Sequence, residues 1–505
     1  MRKGAKRLLL VSIILVLSLT VSACKKEEVR EIKDYPTLIT EELNNIKEDE
    51  INQYEIDIDF NPEEKTYIGN QTVLYINNED IELNEIYFHL YPNAFKTVET
   101  VPILFNDMDR AFPQGFEPGY IEMNKILVDN KEISFTLEGE GDTILKINLE
   151  ESLKPKEKIK IKMEYTGVLP PAEDRFGYGE KTYNFGNWYP IACVYDEKGW
   201  NTDPYYSIGD PFYSDVSNYN VTITTPKDMI VASSGNILSE KNKKGKKVWD
   251  IEGKLIRDFA WVCSTDFVVE EREVDGTLIK VYFLEDEAKI KKVASDIAEN
   301  AIRKFNTLFG KYPYGQYSVV MNSFPSGMEY PGLVYIAENY CTMTTKEFLE
   351  IIIVHETAHQ WWYGVVGNDQ IDEAWLDESL ATYSEVIYMN EVYGKNHGGD
   401  YYDVMVVESY ERAKQLFDID DKVLKPLDEF DDWNDYGSLA YSRGAMFINS
   451  IKKDFGEDVL YDILSKYYKE YKFLNATTDD FLKVCEEVTG ENFKERKEKW
   501  LYGEN

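Results

Sequence analysis

Hydrophobic and polar residues alternate strictly where the patterned part of the chain begins. Tyr54, Ile56, Ile58 and Phe60 fall on one side, with Glu55, Asp57 and Asp59 on the other. A period of two is that of a strand with one dry face. The pattern returns at Ile86-Phe88-Leu90, Leu145-Ile147-Leu149 and Ile159-Ile161-Met163-Tyr165. Further β-rich segments lie at 219–225, 229–232, 247–251 and 278–283. Short strands parted by turn residues predict a β-sandwich or open antiparallel sheets. Near residue 285 the period lengthens. Ile290, Val293, Ile297, Ile302 and Phe305 predict a helix over 288–308, followed by a strand at 317–321. Helices are then expected at about 345–363, 376–393, 400–416, 442–455 and 457–471. The chain therefore reads as α+β, with a β domain over 54–280 and a mainly helical domain over 281–505.

Ahead of this lies a different kind of segment. Arg2, Lys3, Lys6 and Arg7 precede an apolar run from Leu8 to Val21, then Ser22-Ala23-Cys24. A basic start, a short apolar stretch and small residues predict a signal peptide over 1–23, short for a membrane span. Its end resembles the lipobox of bacterial lipoproteins, which implies lipid attachment at Cys24 and work outside the cytoplasm on a bacterial membrane. Residues 24–53 are charged and aperiodic, and read as a tether. The net charge of −36 repels nucleic acid, which excludes that class of partner. Cys193, Cys263, Cys341 and Cys485 form no C-x-x-C pair. In an oxidising compartment some of them could pair. The acidic stretch 428–435 is either a calcium loop or, more simply, a solvated one.

Two of the chain's four histidines stand in His355-Glu356-Thr357-Ala358-His359, directly after Ile351-Ile352-Ile353-Val354. On a helix, positions i and i+4 share a face, so both imidazoles can reach one metal ion. Catalytic zinc keeps three protein ligands and an open position. The next helix supplies Glu378 in Leu376-Asp377-Glu378-Ser379, far enough along for a loop to return it to the histidines. Glu356 then suits a general base that passes a proton from water to the leaving amine. Glu385 is a candidate for orienting a ligand from behind, or for a plain ion pair.

This spacing resembles the gluzincin aminopeptidases, the family of aminopeptidase N and leukotriene hydrolase. Gly327-Met328-Glu329 is similar to that family's G-x-M-E-N segment. Tyr441-Ser442-Arg443-Gly444-Ala445 is similar to its Y-x-[K/R]-G-A segment, and Trp500-Leu501-Tyr502-Gly503 to the end of its catalytic domain. The resemblance implies a saddle-like β domain before a thermolysin-like zinc peptidase domain, with one zinc per chain and peptide substrates. It also implies site roles. Glu329 would hold the substrate's α-ammonium, with Met328 beside it, and Gly327 would let the substrate backbone approach. Tyr441 would donate to the oxyanion. Two positions depart from the family: Tyr330 stands for its Asn, and Asp377 for the Asn before the third ligand. No residue of the β half matches its second amine-binding residue. The sequence ends where the family continues into a helical domain over the cleft, which leaves a zinc endopeptidase as an alternative. A surface lipoprotein that binds without catalysis is the other.

Overall fold

The computed structural model describes residues 29–30 and 35–503. Cys24 and the predicted signal segment lie outside them. Strands β1 (Gln53–Asn61), β2 (Thr66–Ile76), β3 (Tyr120–Val128), β4 (Lys158–Val168), β5 (Ser217–Pro226), β6 (Asn236–Lys243) and β7 (Lys246–Ile256) share one sheet, in the order β6–β7–β5–β1–β2–β4–β3. The alternation is realised in β1, where Tyr54, Ile56, Ile58 and Phe60 are buried and the three acids between them are exposed. One pairing departs from the antiparallel expectation: β5 runs parallel to β1, with Tyr219 opposite Tyr54. Parallel neighbours need a long crossover. Here the intervening chain forms β2, β3, β4, the whole of one four-stranded sheet and two strands of another. Between the layers sits an aromatic core, with Phe185 stacked on Trp261 at 3.7 Å.

The second domain opens with β8 (Val268–Val274) and β9 (Thr277–Phe283), then α1 (Ala288–Leu308), β10 (Gln316–Asn322), β11 (Gly327–Met328) and β12 (Leu333–Ala337). They form a mixed sheet in the order β8–β9–β10–β12–β11, in which β9, β10 and β12 are parallel. Every residue of β9 and β10 is buried, as in parallel strands covered on both faces. The expected boundary at 280/281 falls inside β9. The second domain's sheet begins with Val268, so the junction lies near residue 267. Helices α2 (Lys346–Ala358), α3 (Trp375–Tyr393), α4 (Gly444–Phe455), α5 (Glu457–Tyr471), α6 (Thr478–Thr489) and α7 (Lys494–Trp500) follow. Among the described residues, no helix is long and apolar enough to cross a membrane.

The segment read as a tether to residue 53 is docked from residue 35 onward. Ile39 N donates to Pro313 O at 2.8 Å, Leu38 bridges Tyr314, and Asn44 Nδ2 donates to Lys472 O at 2.9 Å. The two domains are held by Arg257, which is buried just after β7. Its guanidinium donates to Tyr363 O at 2.8 Å, Ser214 O at 3.0 Å, Leu474 O at 2.6 Å, and the side chain of Asn475. Cys193, Cys263, Cys341 and Cys485 are all unpaired, three of them buried. In the acidic stretch, Asp432 caps a short helix and Asp435 pairs with Lys425 at 2.8 Å, so these acids serve local structure.

Candidate active site

Helix α2 buries Leu349, Ile353, Val354 and Ala358 against the sheet, which turns Glu356 and both histidines toward α3. The predicted continuation to 363 does not form. Tyr363 adopts φ 101°, and Gly364 N donates to His359 O at 2.8 Å, so the chain reverses directly after the second histidine. That reversal lets α3 return with Glu378 facing the imidazoles. His355 Nε2 and His359 Nε2 are 3.1 Å apart, and Glu378 Oε2 lies 3.2 and 3.3 Å from them. Around a tetrahedral zinc ion with bonds of ~2.0–2.1 Å, ligand atoms are about 3.3–3.4 Å apart, so this set fits that ion.

Each imidazole is oriented through its other nitrogen. His355 Nδ1 meets Glu385 Oε1 at 2.6 Å, and Tyr401 donates to the second oxygen of Glu385. His359 Nδ1 meets Trp362 O at 3.1 Å. Both Nε2 atoms are thereby left for a metal. Burial works to raise the Glu378 pKa, but its bonds to the two imidazoles bring it down to about 2. Burial works to lower that of His359, but Glu329 and Glu378 push it up to about 10. The site holds protons where a divalent cation would replace them.

Glu356 is buried, and its Oε2 has no hydrogen-bond partner. Burial is the main cause that pushes its carboxyl up to about 7. A Cβ on Gly327 would lie 1.9 Å from Glu356 Oε1. The absent side chain thus makes room for Glu356, where the sequence suggested room for a substrate backbone. Met328 also differs from its expected substrate-facing place. It is fully buried, and its sulfur accepts from Arg175 Nε at 3.0 Å, so it supports the loop from behind. Glu329 is buried beside His359, with ligand atoms of Glu329, His359 and Asp377 within 4.8 Å of one another. Gln360 fixes this loop to the metal helix: its Nε2 donates to Tyr330 O at 3.1 Å, and its Oε1 accepts from Gly332 N at 2.8 Å.

Tyr441 lies in a π-helical stretch, Gly437–Arg443, ahead of α4. Its hydroxyl donates to Glu378 Oε1 at 2.6 Å, and its ring is parallel to that of His355 at 5.6 Å. A Cβ on Gly444 would come within 1.7 Å of Ser379 Oγ, so bare backbone here lets α4 close on α3. The expected residues of the second domain are thus gathered around the two imidazoles, Met328 behind them.

Residues 293–500 match the Peptidase family M1 domain. This stretch is an M1 peptidase domain. Aminopeptidase 2 of Candida albicans is 28% identical over 232 residues, covering 42% of this chain and 24% of that protein. Aminopeptidase M1-B of Oryza sativa subsp. japonica is 23% identical over 393 residues, 74% of this chain and 43% of its own length. The chain therefore spans less than half the length of these relatives. The M1 zinc metallopeptidase of Deinococcus radiodurans is similar in fold, with a TM-score of 0.64 at 17% identity, over 90% of this chain and 94% of that one. A two-domain M1 zinc metallopeptidase bound to L-arginine is similar in fold as well, with a TM-score of 0.64 at 17% identity, over 90% of this chain and 94% of that one.

The departures within the M1 domain have structural partners. Tyr330 is buried and its hydroxyl donates to Asn187 Oδ1 at 3.0 Å across the domain junction, in space left by Gly186. Asp377 accepts from Asn368 and Gln370, each at 2.8 Å. Three further residues carry no local sequence signal. Arg175, buried in the β domain, donates to Asp210 Oδ1 at 2.5 Å. The Asp210 carboxylate in turn helps raise the Glu329 and Glu356 carboxyls, after burial itself. Gln370 joins Glu329 to Asp377. A spacing rule reaches a few turns of helix. The contacts of Arg175 with Asp210 and of Gln370 with Glu329 are made across more than thirty residues, so no periodic pattern announces them.

Proposed function

We propose that the chain is a zinc-dependent aminopeptidase that releases N-terminal residues from peptides outside the cell membrane. His355, His359 and Glu378 hold the metal, which when bound polarises the scissile carbonyl and the attacking water. Glu356, buried and raised toward neutrality, takes the proton of that water and delivers it to the leaving amine. Tyr441 donates to the oxygen that gains charge at the carbonyl.

One observation carries the exopeptidase reading: the buried carboxylate of Glu329 is within 4.8 Å of a nitrogen of the ligand His359. One residue spans about 3.3–3.6 Å of chain. An ammonium held at Glu329 therefore leaves reach to the metal for the first peptide bond alone. The charge balance supports the same reading. Glu329, Glu356, Glu378, Asp377 and Asp210 are five buried acids around the two imidazoles, and Arg175 is bonded to Asp210 alone of the five, a set of carboxyl groups suited to a divalent ion and a substrate ammonium.

The test compares a free peptide with its N-acetylated form, with and without chelator. The aminopeptidase cleaves the free peptide alone, and chelation stops it. Equal cleavage of both would favour an endopeptidase, and cleavage of neither a binding protein. The placement outside the membrane rests on the basic and apolar start of the chain and on Val21-Ser22-Ala23-Cys24. Metabolic labelling with a fatty acid should mark the wild-type protein and not Cys24→Ser. Label persisting in the variant would remove Cys24 as the attachment point.

A further inference from the structure

Gln370 occupies a position that its structural bonds alone do not account for. It lies in the loop between α2 and α3 and is 1% exposed. Its Nε2 donates to Glu329 Oε1 at 2.8 Å and to Asp377 Oδ2 at 2.8 Å, which uses both amide hydrogens. Its carbonyl oxygen, Oε1, is buried and has no partner. A residue that served only to tie two carboxylates together would leave that acceptor stranded, at a cost of about 1–3 kcal/mol. Glu329 Oε2 likewise has no hydrogen-bond partner among the described residues, its sister oxygen being taken by Gln370. Two acceptors attached to one hydrogen-bonded pair thus lack donors, and the Glu329 carboxylate of that pair lies within 4.8 Å of a nitrogen of the ligand His359. An α-ammonium brings three N–H donors and a positive charge.

We propose that Gln370 positions the substrate's α-ammonium together with Glu329: its amide N–H groups fix the Glu329 carboxylate, and its carbonyl oxygen accepts directly from the ammonium. The proposal rests on the aminopeptidase reading and deepens it. The second amine-binding group, unmatched anywhere in the β half of the sequence, is then supplied from the catalytic domain itself. Because the same amide nitrogen also holds Asp377, the residue before the ligand Glu378, one side chain sets the separation between amine anchor and metal. That separation selects the first peptide bond.

The experiment uses zinc-loaded protein carrying Glu356→Gln, so that ligands are bound and not consumed, with Gln370→Met added to keep volume and remove both polar groups. Calorimetric titration with leucinamide should show binding about 10- to 100-fold weaker than without Gln370→Met, the size expected for hydrogen bonds to a charged group. N-acetylleucinamide should bind equally to both proteins, and zinc content should not change. A merely structural glutamine would weaken both ligands alike, and that result overturns the proposal, as would undiminished leucinamide affinity. A second arm needs no change at Gln370. N-methyl-leucinamide, with two N–H donors, should bind near leucinamide, while N,N-dimethyl-leucinamide, still cationic but with one, should lose tenfold or more. Equal affinity for the two overturns the need for a second acceptor, and decides the matter if Gln370→Met does not fold. If Gln370-intact protein shows no preference for leucinamide over its acetylated form, the aminopeptidase reading fails. If it does and Gln370→Met keeps that preference, only the role of Gln370 fails.

Discussion

Glu356 lies next to the first ligand in sequence and Tyr441 bonds to the third, and their environments assign them different losses. Glu356 Oε2 is buried with no partner, so substitution by the neutral isostere disturbs no existing bond at that oxygen. Glu356→Gln is expected to retain one zinc per chain by elemental analysis and to lose at least about 10²-fold in kcat, the range of general base catalysis. Near-full turnover would remove it as the base. Tyr441 bonds to the ligand Glu378 through its hydroxyl. Tyr441→Phe is expected to lower kcat by about 10²-fold with KM little changed, as for a donor that acts on the developing oxyanion. A raised KM with normal kcat would instead make Tyr441 a binding residue. A third side chain makes a prediction about pH. Burial pushes Asp258 in the β domain up to about 6 from its usual 3.8. Between those values the folded protein keeps a proton that the unfolded chain has lost, so stability falls as pH rises through the window, by at most about 1.4 kcal/mol per unit. Asp258→Asn cannot titrate. Its melting temperature should therefore gain on the wild type between pH 4 and pH 7, and a constant difference would refute the assignment.

Among the elements, α3 and α4 show how a close helix contact serves the site. Gly444→Ala adds a Cβ that would meet Ser379 Oγ at 1.7 Å, so the helices must part or the serine must move. Overpacking of this kind costs about 1–3 kcal/mol. Denaturant unfolding should show that loss together with lower kcat, because Tyr441 rides on the segment that moves. Unchanged stability would show that the contact is slack. The elements also show what could be read in advance. Helices α1 and α5 begin and end where their apolar spacing placed them, at Ala288–Leu308 and Glu457–Tyr471. Both are amphipathic surface helices, the case in which one chain segment carries its own pattern. The histidine spacing was legible for a related reason, since helical geometry alone relates i to i+4, whereas Glu378 was reached only as an acid on the following helix at the spacing of the family resemblance. Strand β9 could be placed as a strand but not assigned to its sheet, because a strand covered on both faces is a continuous apolar run with no period to read. The π-helical stretch at Tyr441 and the reversal at Tyr363 were hidden as well. The first lies against α3, where Ser379 Oγ donates to Ala440 O at 2.6 Å, and the second is closed by the bond from Gly364 N to His359 O, and neither leaves a period in the sequence.

Across the whole molecule, Arg257 is one of the side chains that join the two domains. Its guanidinium serves Ser214 from one domain and Tyr363, Leu474 and Asn475 from the other. Arg257→Met strands these acceptors at about 1–3 kcal/mol each. Calorimetry is expected to resolve two unfolding transitions in the variant where the parent shows one. A single transition at the original temperature would mean that the remaining interface suffices. The parallel pairing of β1 with β5 has its own consequence, for how the protein is made. Tyr54 meets Tyr219, which closes a loop of about 165 residues. At a synthesis rate of about 5–20 residues per second, β1 waits roughly 8 to 33 seconds for that partner to emerge. Its hairpin with β2 closes in microseconds. The nascent chain therefore spends that interval with the other edge of β1 open, a row of free amides and carbonyls beside Tyr54, Ile56, Ile58 and Phe60, available to any passing strand.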